Sequence, residues 1–168
     1  MSESLMTVTH TGHHVLVLPS DTRHLVKVRQ YVGGVLSSTG AFTAVAANMI
    51  ALAVDEAVAN IIEHGYRRRP GDEAPDNEDI IVMVDISAER LEVTIRDSSA
   101  GFDPRDVADV NVREHIRTGR RGGLGLFMIR RIMDDVQYSA PGDGHNELRL
   151  IKDLTTQRWP TAALAQGG

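Results

Sequence analysis

The sequence predicts a single domain that combines α-helices with β-strands. With 168 residues, the chain can bury one sizeable hydrophobic core but is too short for two. Apolar residues recur at helical spacing in three stretches, and short runs rich in β-branched residues lie before, between and after them. Helical spacing and β-branched runs in one chain of this length indicate an α/β domain. We expect it to span residues 13–155.

The composition is that of an ordinary globular protein, with 42% hydrophobic and 24% charged residues. A net charge of -5 and a pI near 5.8 argue against direct nucleic-acid binding, which needs a basic surface. Because the chain has no cysteine, disulfides, thiolate catalysis and cysteine-ligated zinc are excluded. The sequence shows no signal-peptide pattern and no membrane-spanning apolar run, so we expect a cytoplasmic protein without membrane contact.

The first elements are a strand and a helix. Residues 1–12 are polar and expected to be flexible. His14–Pro19 is rich in β-branched and other apolar residues and predicts a strand, after which Ser20 or Asp21 can cap a helix. From Asp21 to Ser38 the apolar residues follow a near-helical period, which predicts a helix with one face on the core.

A nearly continuous apolar helix is predicted over Ala41–Tyr66, and it must be covered on most sides. Its polar interruptions are therefore informative. Glu56 and Asn60 are four residues apart and share one face, which Glu63 and His64 continue. Polar groups in apolar surroundings need backbone, water, a metal or a ligand as partner. Alternatively, this is a helix end that turns toward solvent and stops at Gly65.

An exposed loop and a β-hairpin come next. Arg67–Asn77 contains two prolines, a glycine and six charged residues, which predicts a solvated loop. Ile80–Ile86 and Leu91–Ile95 are rich in β-branched residues and joined by a short polar connection, which predicts an antiparallel hairpin. The second strand runs directly into Arg96–Pro104.

The last third of the chain has a glycine-rich turn that leads into a helix. Between Arg105 and Arg121 the sequence is polar, with a possible short helix at its start. The apolar residues after the turn Gly122–Gly125 follow a helical period: Leu126, Phe127, Ile129, Ile132, Met133 and Val136. Such a turn can bind an anion through free N–H groups and the helix dipole, although it also occurs without a ligand. Val136–Ser139 and Glu147–Leu154 predict two strands, and residues 156–168 a loose tail.

Three motifs follow one another in an order that resembles that of a known family. The helix bears Glu56 to Asn60 followed by His64-Gly65-Tyr66, a strand ends in Asp97 to Gly101, and a loop closes on Arg121 to Leu126. From about His14 to Leu154 the sequence resembles the GHKL (Bergerat-fold) ATPases, and within them the small single-domain bacterial anti-sigma factor serine/threonine kinases. The three motifs look like the N box and two glycine boxes of that family. The resemblance implies a two-layer α/β sandwich whose mixed, mainly antiparallel sheet is covered by helices on one face, with nucleotide on the helical side.

The resemblance also implies ATP and Mg²⁺ as cofactors and gives roles to single residues. Glu56 would be the general base that accepts the proton of the attacking hydroxyl. Asn60 would place its side-chain oxygen on Mg²⁺, which prefers hard oxygen ligands. Asp97 would accept a hydrogen bond from the adenine amino group, and Gly101 would let the backbone pass close to the base. Arg121 would reach the terminal phosphoryl group as charge moves during transfer.

The glycine amides of the second box, at Gly123 and Gly125, would donate to the phosphates. The complete set of residues expected to bind nucleotide is Asn60, His64, Asp97, Gly101, Phe102, Gly122, Gly123, Leu124, Gly125 and Leu126. One departure is Ser99, where related first glycine boxes usually have glycine. A side chain there could narrow the adenine pocket or require an altered backbone, which bears on nucleotide affinity more than on fold.

Three functions remain open at this point. The first is a protein kinase that phosphorylates a serine or threonine on a small STAS-domain antagonist of an anti-sigma factor and that also binds a sigma factor. The second is an ATP-binding regulatory module that holds a partner protein without phosphoryl transfer. The third is a kinase of this family in a stressosome-like switch that never touches a sigma factor. A sensor histidine kinase is disfavoured, since we expect no sensor and no phospho-acceptor helix pair. A homodimer is implied by the resemblance alone.

Overall fold

A five-stranded sheet forms one layer of the protein. The computed structural model describes residues 12–75, 78–106 and 124–155. The strands are β1 (Gly12–Pro19), β2 (Asp79–Ile86), β3 (Arg90–Asp97), β4 (Asp135–Ser139) and β5 (Asn146–Asp153). Their order is β1-β2-β3-β5-β4, and all four pairings are antiparallel. The predicted fold class is confirmed, although within the described residues the sheet is antiparallel throughout and shows no parallel pair.

In the described part of the chain, three α-helices form the second layer: α1 (Leu25–Ser38), α2 (Ala44–Asn60) and α3 (Leu124–Ile132). A short 3-10 turn, Thr22–His24, precedes α1, and the Asp21 side chain caps it by accepting the Arg23 N–H at 3.0 Å. Thr43 caps α2 in the same way through the Ala46 N–H. Asp21 is thus the cap of the two that were predicted, α1 and α2 form close to their predicted positions, and a second 3-10 turn lies at Pro104–Asp106.

The core lies between the helices and one face of the sheet. β2 turns Ile80, Val82, Val84 and Ile86 inward at every second position, as the pleat requires. On the opposite face of the sheet, Val15 and Val17 of β1 are 45% and 56% exposed. The helices of the described residues thus cover the face of the sheet opposite to Val15 and Val17, which is the expected two-layer arrangement.

The central helix α2 is enclosed by its neighbours. Nine of its seventeen residues are buried, and it packs against α1 on one side and α3 on the other. By length and composition alone, Ala44–Gly65 could cross a membrane, with a mean hydropathy of 1.6. However, 61% of its most apolar window is buried inside the fold, as in the core helix of a globular protein.

The helical spacing after the second glycine box overestimates the length of α3. The pattern extends to Met133 and Val136, but α3 ends at Ile132, and Val136 lies in β4 opposite Leu150. The sheet determines this boundary, because the Asp134 N–H donates to the Ile151 carbonyl at 2.8 Å and starts the β4–β5 ladder. The sequence placed Val136 both at the end of this helical pattern and at the start of a strand. The structure confirms the strand.

Candidate active site

The C-terminal end of α2 carries the first group of predicted site residues. α2 is α-helical through Glu56 and Asn60 and continues as a π-helix over Ile61–Gly65, in which the Tyr66 N–H donates to the Ile61 carbonyl at 2.9 Å. A π-helical turn widens the helix and rotates the side chains that follow it, and such turns are frequent at functional sites. The sequence gives no sign of this change, because an apolar pattern alone does not distinguish an α-turn from a π-turn.

Glu56 lies directly beneath the start of α3. A Cβ atom added to Gly125 would stand 3.1 Å from the Cδ atom of Glu56 and 3.4 Å from its Cβ atom. The absence of a side chain at Gly125 is therefore what lets the two helices meet at this carboxylate. Burial raises the pKa of the half-buried Glu56 above the ordinary value of 4.5, and the nearby Asp55 and Glu63 add to that effect. The structure brings the predicted base and the second glycine box into contact.

Asp97 is the last residue of β3 and is almost fully buried, with 3% exposed. Its Oδ1 atom accepts hydrogen bonds from the Ser99 N–H at 2.9 Å and from Asn146 Nδ2 at 3.1 Å. Its Oδ2 atom accepts none from the described residues. One oxygen is thus used to fix the carboxylate, and the other remains an acceptor for a directional donor such as an adenine amino group.

Asn146 was missed by the sequence analysis. It opens β5 opposite Asp97, and its amide also donates to the Ser99 carbonyl at 3.0 Å. Its Oδ1 atom accepts the Tyr138 hydroxyl at 3.2 Å. A buried side-chain amide with three hydrogen bonds fixes the geometry of what it contacts. The available signal was an asparagine directly after the turn at 141–145, but its partner depends on strand register.

Ser99 is accommodated without backbone strain. Its Oγ atom accepts the Gly101 N–H at 3.1 Å, and its backbone φ is not positive, since Arg67 is the one non-glycine residue of the described ranges with a positive φ. The side chain rests against Gly65, where an added Cβ would come within 2.5 Å of Ser99 Oγ. The altered backbone considered in the sequence analysis is therefore not required.

Gly101 and Phe102 continue this turn. Gly101 has φ 97°, a conformation that favours glycine, and an added Cβ would lie 2.7 Å from the Tyr138 hydroxyl oxygen. The Phe102 ring stacks on the His64 ring with centroids 5.0 Å apart. Nearby, the Tyr66 hydroxyl accepts the Ser98 N–H at 3.0 Å. These contacts join the end of α2 to the first glycine box.

The remaining predicted residues divide into two groups. Arg121, Gly122 and Gly123 lie outside the described residues, and of Leu124 the structure shows only that its backbone begins α3. Leu126 is buried in the core with 6% exposed, so any contact it makes with a nucleotide has to come from its backbone. Within the described ranges, the structure brings Glu56 against Gly125 and His64 against Phe102, and Ser99 joins Asp97 to Gly101 by hydrogen bonds. Asn60 lies on α2 one turn after Glu56.

The comparison with known proteins identifies this arrangement. The histidine kinase-like ATPase domain matches residues 18–152, a range that contains every site residue named above. The chain belongs to the histidine kinase-like ATPase family. The GHKL resemblance is thereby confirmed, and the use of ATP follows from membership of this ATPase family.

Relatives of this histidine kinase-like ATPase are protein kinases by name. The serine-protein kinase RsbW of Listeria monocytogenes serotype 4a (strain HCC23) is 31% identical over 126 residues, which are 73% of this chain and 76% of the relative. RsbW of Staphylococcus aureus is 30% identical over 141 residues, 80% of this chain and 84% of the relative. RsbW of Bacillus cereus (strain ATCC 10987 / NRS 248) is 26% identical over 124 residues, 71% and 72% of the two chains. These names support the prediction of a serine/threonine-protein kinase.

The surroundings of Asn60 suit a hard cation that takes one oxygen from the protein and its other ligands from phosphate and water. The Asn60 Nδ2 atom is buried and has no hydrogen-bond partner among the described residues. Because the oxygen and nitrogen of an amide are assigned from their partners, rotating this side chain would place its oxygen at the same position. The described ranges contain no group of three His, Asp or Glu residues that could hold a metal. A single protein oxygen supplemented by phosphate and water is the usual arrangement for Mg²⁺.

Proposed function

We propose that this ATPase is a cytoplasmic serine/threonine-protein kinase that regulates an anti-sigma system. Its substrate would be a serine or threonine on a STAS-domain anti-sigma factor antagonist. It would also bind a sigma factor and act as a homodimer. The names of the relatives and the resemblance to anti-sigma factor kinases support this proposal. Phosphorylation of the antagonist could switch which of the two partners is bound, because an added phosphate changes the local charge of an interface.

The observation that carries the proposal is the position of Glu56. Binding a nucleotide needs the adenine acceptor at Asp97 and backbone amides near the phosphates, but it does not need a carboxylate near phosphate groups of the same charge. Glu56 is nevertheless half-buried against Gly125, in the second glycine box. A carboxylate in this place has a chemical purpose if it receives a proton.

The chain's own residues would act as follows. Asp97 Oδ2 would accept a hydrogen bond from the adenine amino group. Asn146 and the Ser99 N–H hold the Asp97 carboxylate in place through its Oδ1 atom. Asn60 would hold Mg²⁺, which supplies charge neutralisation at the phosphates. The Gly123 and Gly125 amides would donate to phosphate oxygens, and Arg121 would approach the terminal phosphoryl group.

In the transfer step, the hydroxyl oxygen of the acceptor serine or threonine forms a bond to the γ-phosphorus. The bond between the γ-phosphorus and the oxygen that bridges to the β-phosphate breaks, and ADP leaves. The hydroxyl proton passes to the Glu56 carboxylate. Because the pKa of Glu56 is raised toward the working pH, the carboxylate is a stronger base than an exposed glutamate would be.

The test compares two glutamates of the same helical segment. Purified wild-type protein, Glu56→Gln and Glu63→Gln would be incubated with γ-labelled ATP, Mg²⁺ and a panel of purified STAS-domain proteins, and ATP affinity would be measured by calorimetry. We expect Glu56→Gln to lower transfer by about 10² to 10⁴ while retaining ATP binding. Glu63 is exposed, so Glu63→Gln should retain transfer.

Three outcomes would contradict the proposal. Equal transfer by Glu56→Gln and the wild type would remove Glu56 as the base. ATP binding without transfer to any STAS-domain protein, but with a stable complex, would favour the regulatory module without phosphoryl transfer. Transfer to a STAS-domain protein without any sigma-factor complex would favour the stressosome-like switch.

A further inference from the structure

Three consecutive residues after the end of α2 run along the first glycine box. Each of them contacts one residue of the box or the residue that follows it, in reverse order along the chain: His64 on Phe102, Gly65 at Ser99 and Tyr66 on Ser98. The first contact is a ring stack, and the second requires only that a side chain is absent. The contact of Tyr66 is a directional hydrogen bond, which can fix an orientation.

The Tyr66 hydroxyl uses both of its hydrogen-bonding capacities on Ser98. Its oxygen accepts the Ser98 N–H at 3.0 Å and lies 3.3 Å from Ser98 Oγ, to which it can donate. Burial raises the pKa of Tyr66 above its ordinary value of 10, so the hydroxyl keeps its proton. Because Ser98 directly follows Asp97, this contact fixes the backbone beside the predicted adenine acceptor.

Tyr66 is itself held from two directions. Its N–H donates to the Ile61 carbonyl at 2.9 Å in the π-helical turn. The guanidinium carbon of Arg68 lies 5.6 Å from the centroid of the Tyr66 ring, within the range of a cation–π contact. Arg68 is in turn held by the Glu73 carbonyl, to which Nη1 donates at 3.0 Å, and by the Glu78 carboxylate. The phenol ring is therefore presented to Ser98 by a fixed backbone and a fixed cation.

The orientation of Asp97 depends on the same short piece of backbone. The Ser99 N–H donates to Asp97 Oδ1 at 2.9 Å, and Ser98 lies between these two residues. Ser98 is exposed, so without Tyr66 its N–H would turn to water. A change in the backbone at Ser98 also moves the adjacent Ser99 N–H and, with it, the direction of the Asp97 carboxylate.

We propose that Tyr66 is a positioning residue for the choice of base: its hydroxyl fixes the Ser98 backbone and, through the Ser99 N–H, aims Asp97 Oδ2 at the adenine amino group. This role rests on the proposed function, in which ATP binds with its amino group at Asp97. Tyr66 does not need to touch the nucleotide. Its effect is on selectivity for adenine, not on the transfer step at Glu56.

The test compares ATP with purine riboside triphosphate, a nucleotide that lacks the amino group. Calorimetry with Mg²⁺ would give both dissociation constants for the full-length wild type and for Tyr66→Phe. Their ratio reports the hydrogen bond to the amino group, since the rest of the two ligands is the same. A general loosening of the fold weakens both nucleotides and leaves the ratio unchanged.

Tyr31→Phe is the matched control. The Tyr31 hydroxyl donates to the Val15 carbonyl at 2.9 Å, in a contact between α1 and β1. The substitution therefore removes the same atom and one hydrogen bond at a place that does not touch the first glycine box. Thermal midpoints of the same samples show whether each variant folds.

We expect the wild type to prefer ATP, Tyr66→Phe to reduce this preference by about 2- to 10-fold, as for one hydrogen bond, and Tyr31→Phe to keep it. An unchanged ratio in Tyr66→Phe, an equal fall in Tyr31→Phe, or a wild type without preference would overturn the inference. If Tyr66→Phe does not fold, Arg68→Gln decides by the same ratio, because it frees the phenol ring and should lower the preference too.

This result is separate from the test of the proposed kinase. A reduced preference in Tyr66→Phe, combined with no phosphoryl transfer by the wild type, would keep the positioning role and refute the kinase. Transfer that requires Glu56, combined with an unchanged preference in Tyr66→Phe, would keep the kinase and refute the positioning role.

Discussion

Substituting alanine for Gly125 should separate folding from phosphoryl transfer. The new Cβ atom would stand 3.1 Å from Glu56 Cδ, whereas ordinary contacts between carbon atoms lie at about 3.5 to 4.0 Å. The end of the Glu56 side chain must therefore move by several tenths of an ångström to about 1 Å. A displacement of that size at a reacting group can reduce the rate by about 10²-fold. Because a flexible side chain can move away, and alanine favours the helix by about 1 kcal/mol over glycine, the fold should survive.

The assay is the rate of phosphate transfer to a STAS-domain protein, measured with the thermal midpoint of the same samples. Gly34→Ala is the matched control, since Gly34 lies within α1 and an added Cβ there would meet no atom within 4 Å. We expect the control to keep the wild-type rate and Gly125→Ala to lose transfer at an unchanged or slightly altered midpoint. A Gly125→Ala protein that transfers phosphate at the wild-type rate would refute the contact between α3 and the base.

Three further changes test the adenine side and the α1 cap. Asn146→Ala removes three hydrogen bonds, of which the one to Asp97 is buried, and should weaken ATP binding by about tenfold or more in calorimetry; an unchanged affinity would exclude its role. Gly65→Ala should weaken ATP binding through its clash with Ser99, and Ser99→Gly in the same chain should restore it; failure of this rescue would contradict the contact. The hydrogen bond from the Arg23 side chain lowers the pKa of Asp21 below 3.8, so Asp21 contributes stability above that pH and loses it as the pH falls through the lowered pKa. Asparagine can also cap a helix, so Asp21→Asn removes the charge and keeps the cap. The wild type should therefore have the higher thermal midpoint at neutral pH, and the difference should disappear on acidification. A difference that does not depend on pH would contradict this.

The places of Glu56, Asn60 and Asp97 in their helix and strand could be predicted because they depend on local spacing. Glu56 and Asn60 share a face of α2 since four residues make about one α-helical turn, and α2 stays α-helical until Asn60. Asp97 ends β3, where the β-branched run gives way to a turn. In both cases, the residues that determine the geometry are neighbours in sequence.

Asn146 and the tolerance of Ser99 could not be predicted because they depend on distant pairs. Asn146 faces Asp97 only in the observed β3–β5 register, and the sequence does not reveal which strands are neighbours. Ser99 fits because Gly65, in a different element, has no side chain. The π-helical end of α2 is a third example, since it begins at the buried residues Ile61 and Ile62, where the apolar pattern is the same as in the α-helical part.

The contacts of the site divide it into two parts that should respond differently to mutation. Tyr66 bonds to Ser98 and Gly65 packs on Ser99, so the end of α2 and the first glycine box form one unit around Asp97. The surroundings of Glu56 are instead α1 and the start of α3. A change at Gly65 should therefore alter nucleotide affinity first, whereas a change at Glu56 should alter transfer and leave affinity intact. The separation follows from the packing, because one turn of helix and a π-bulge stand between the carboxylate and the adenine-side contacts.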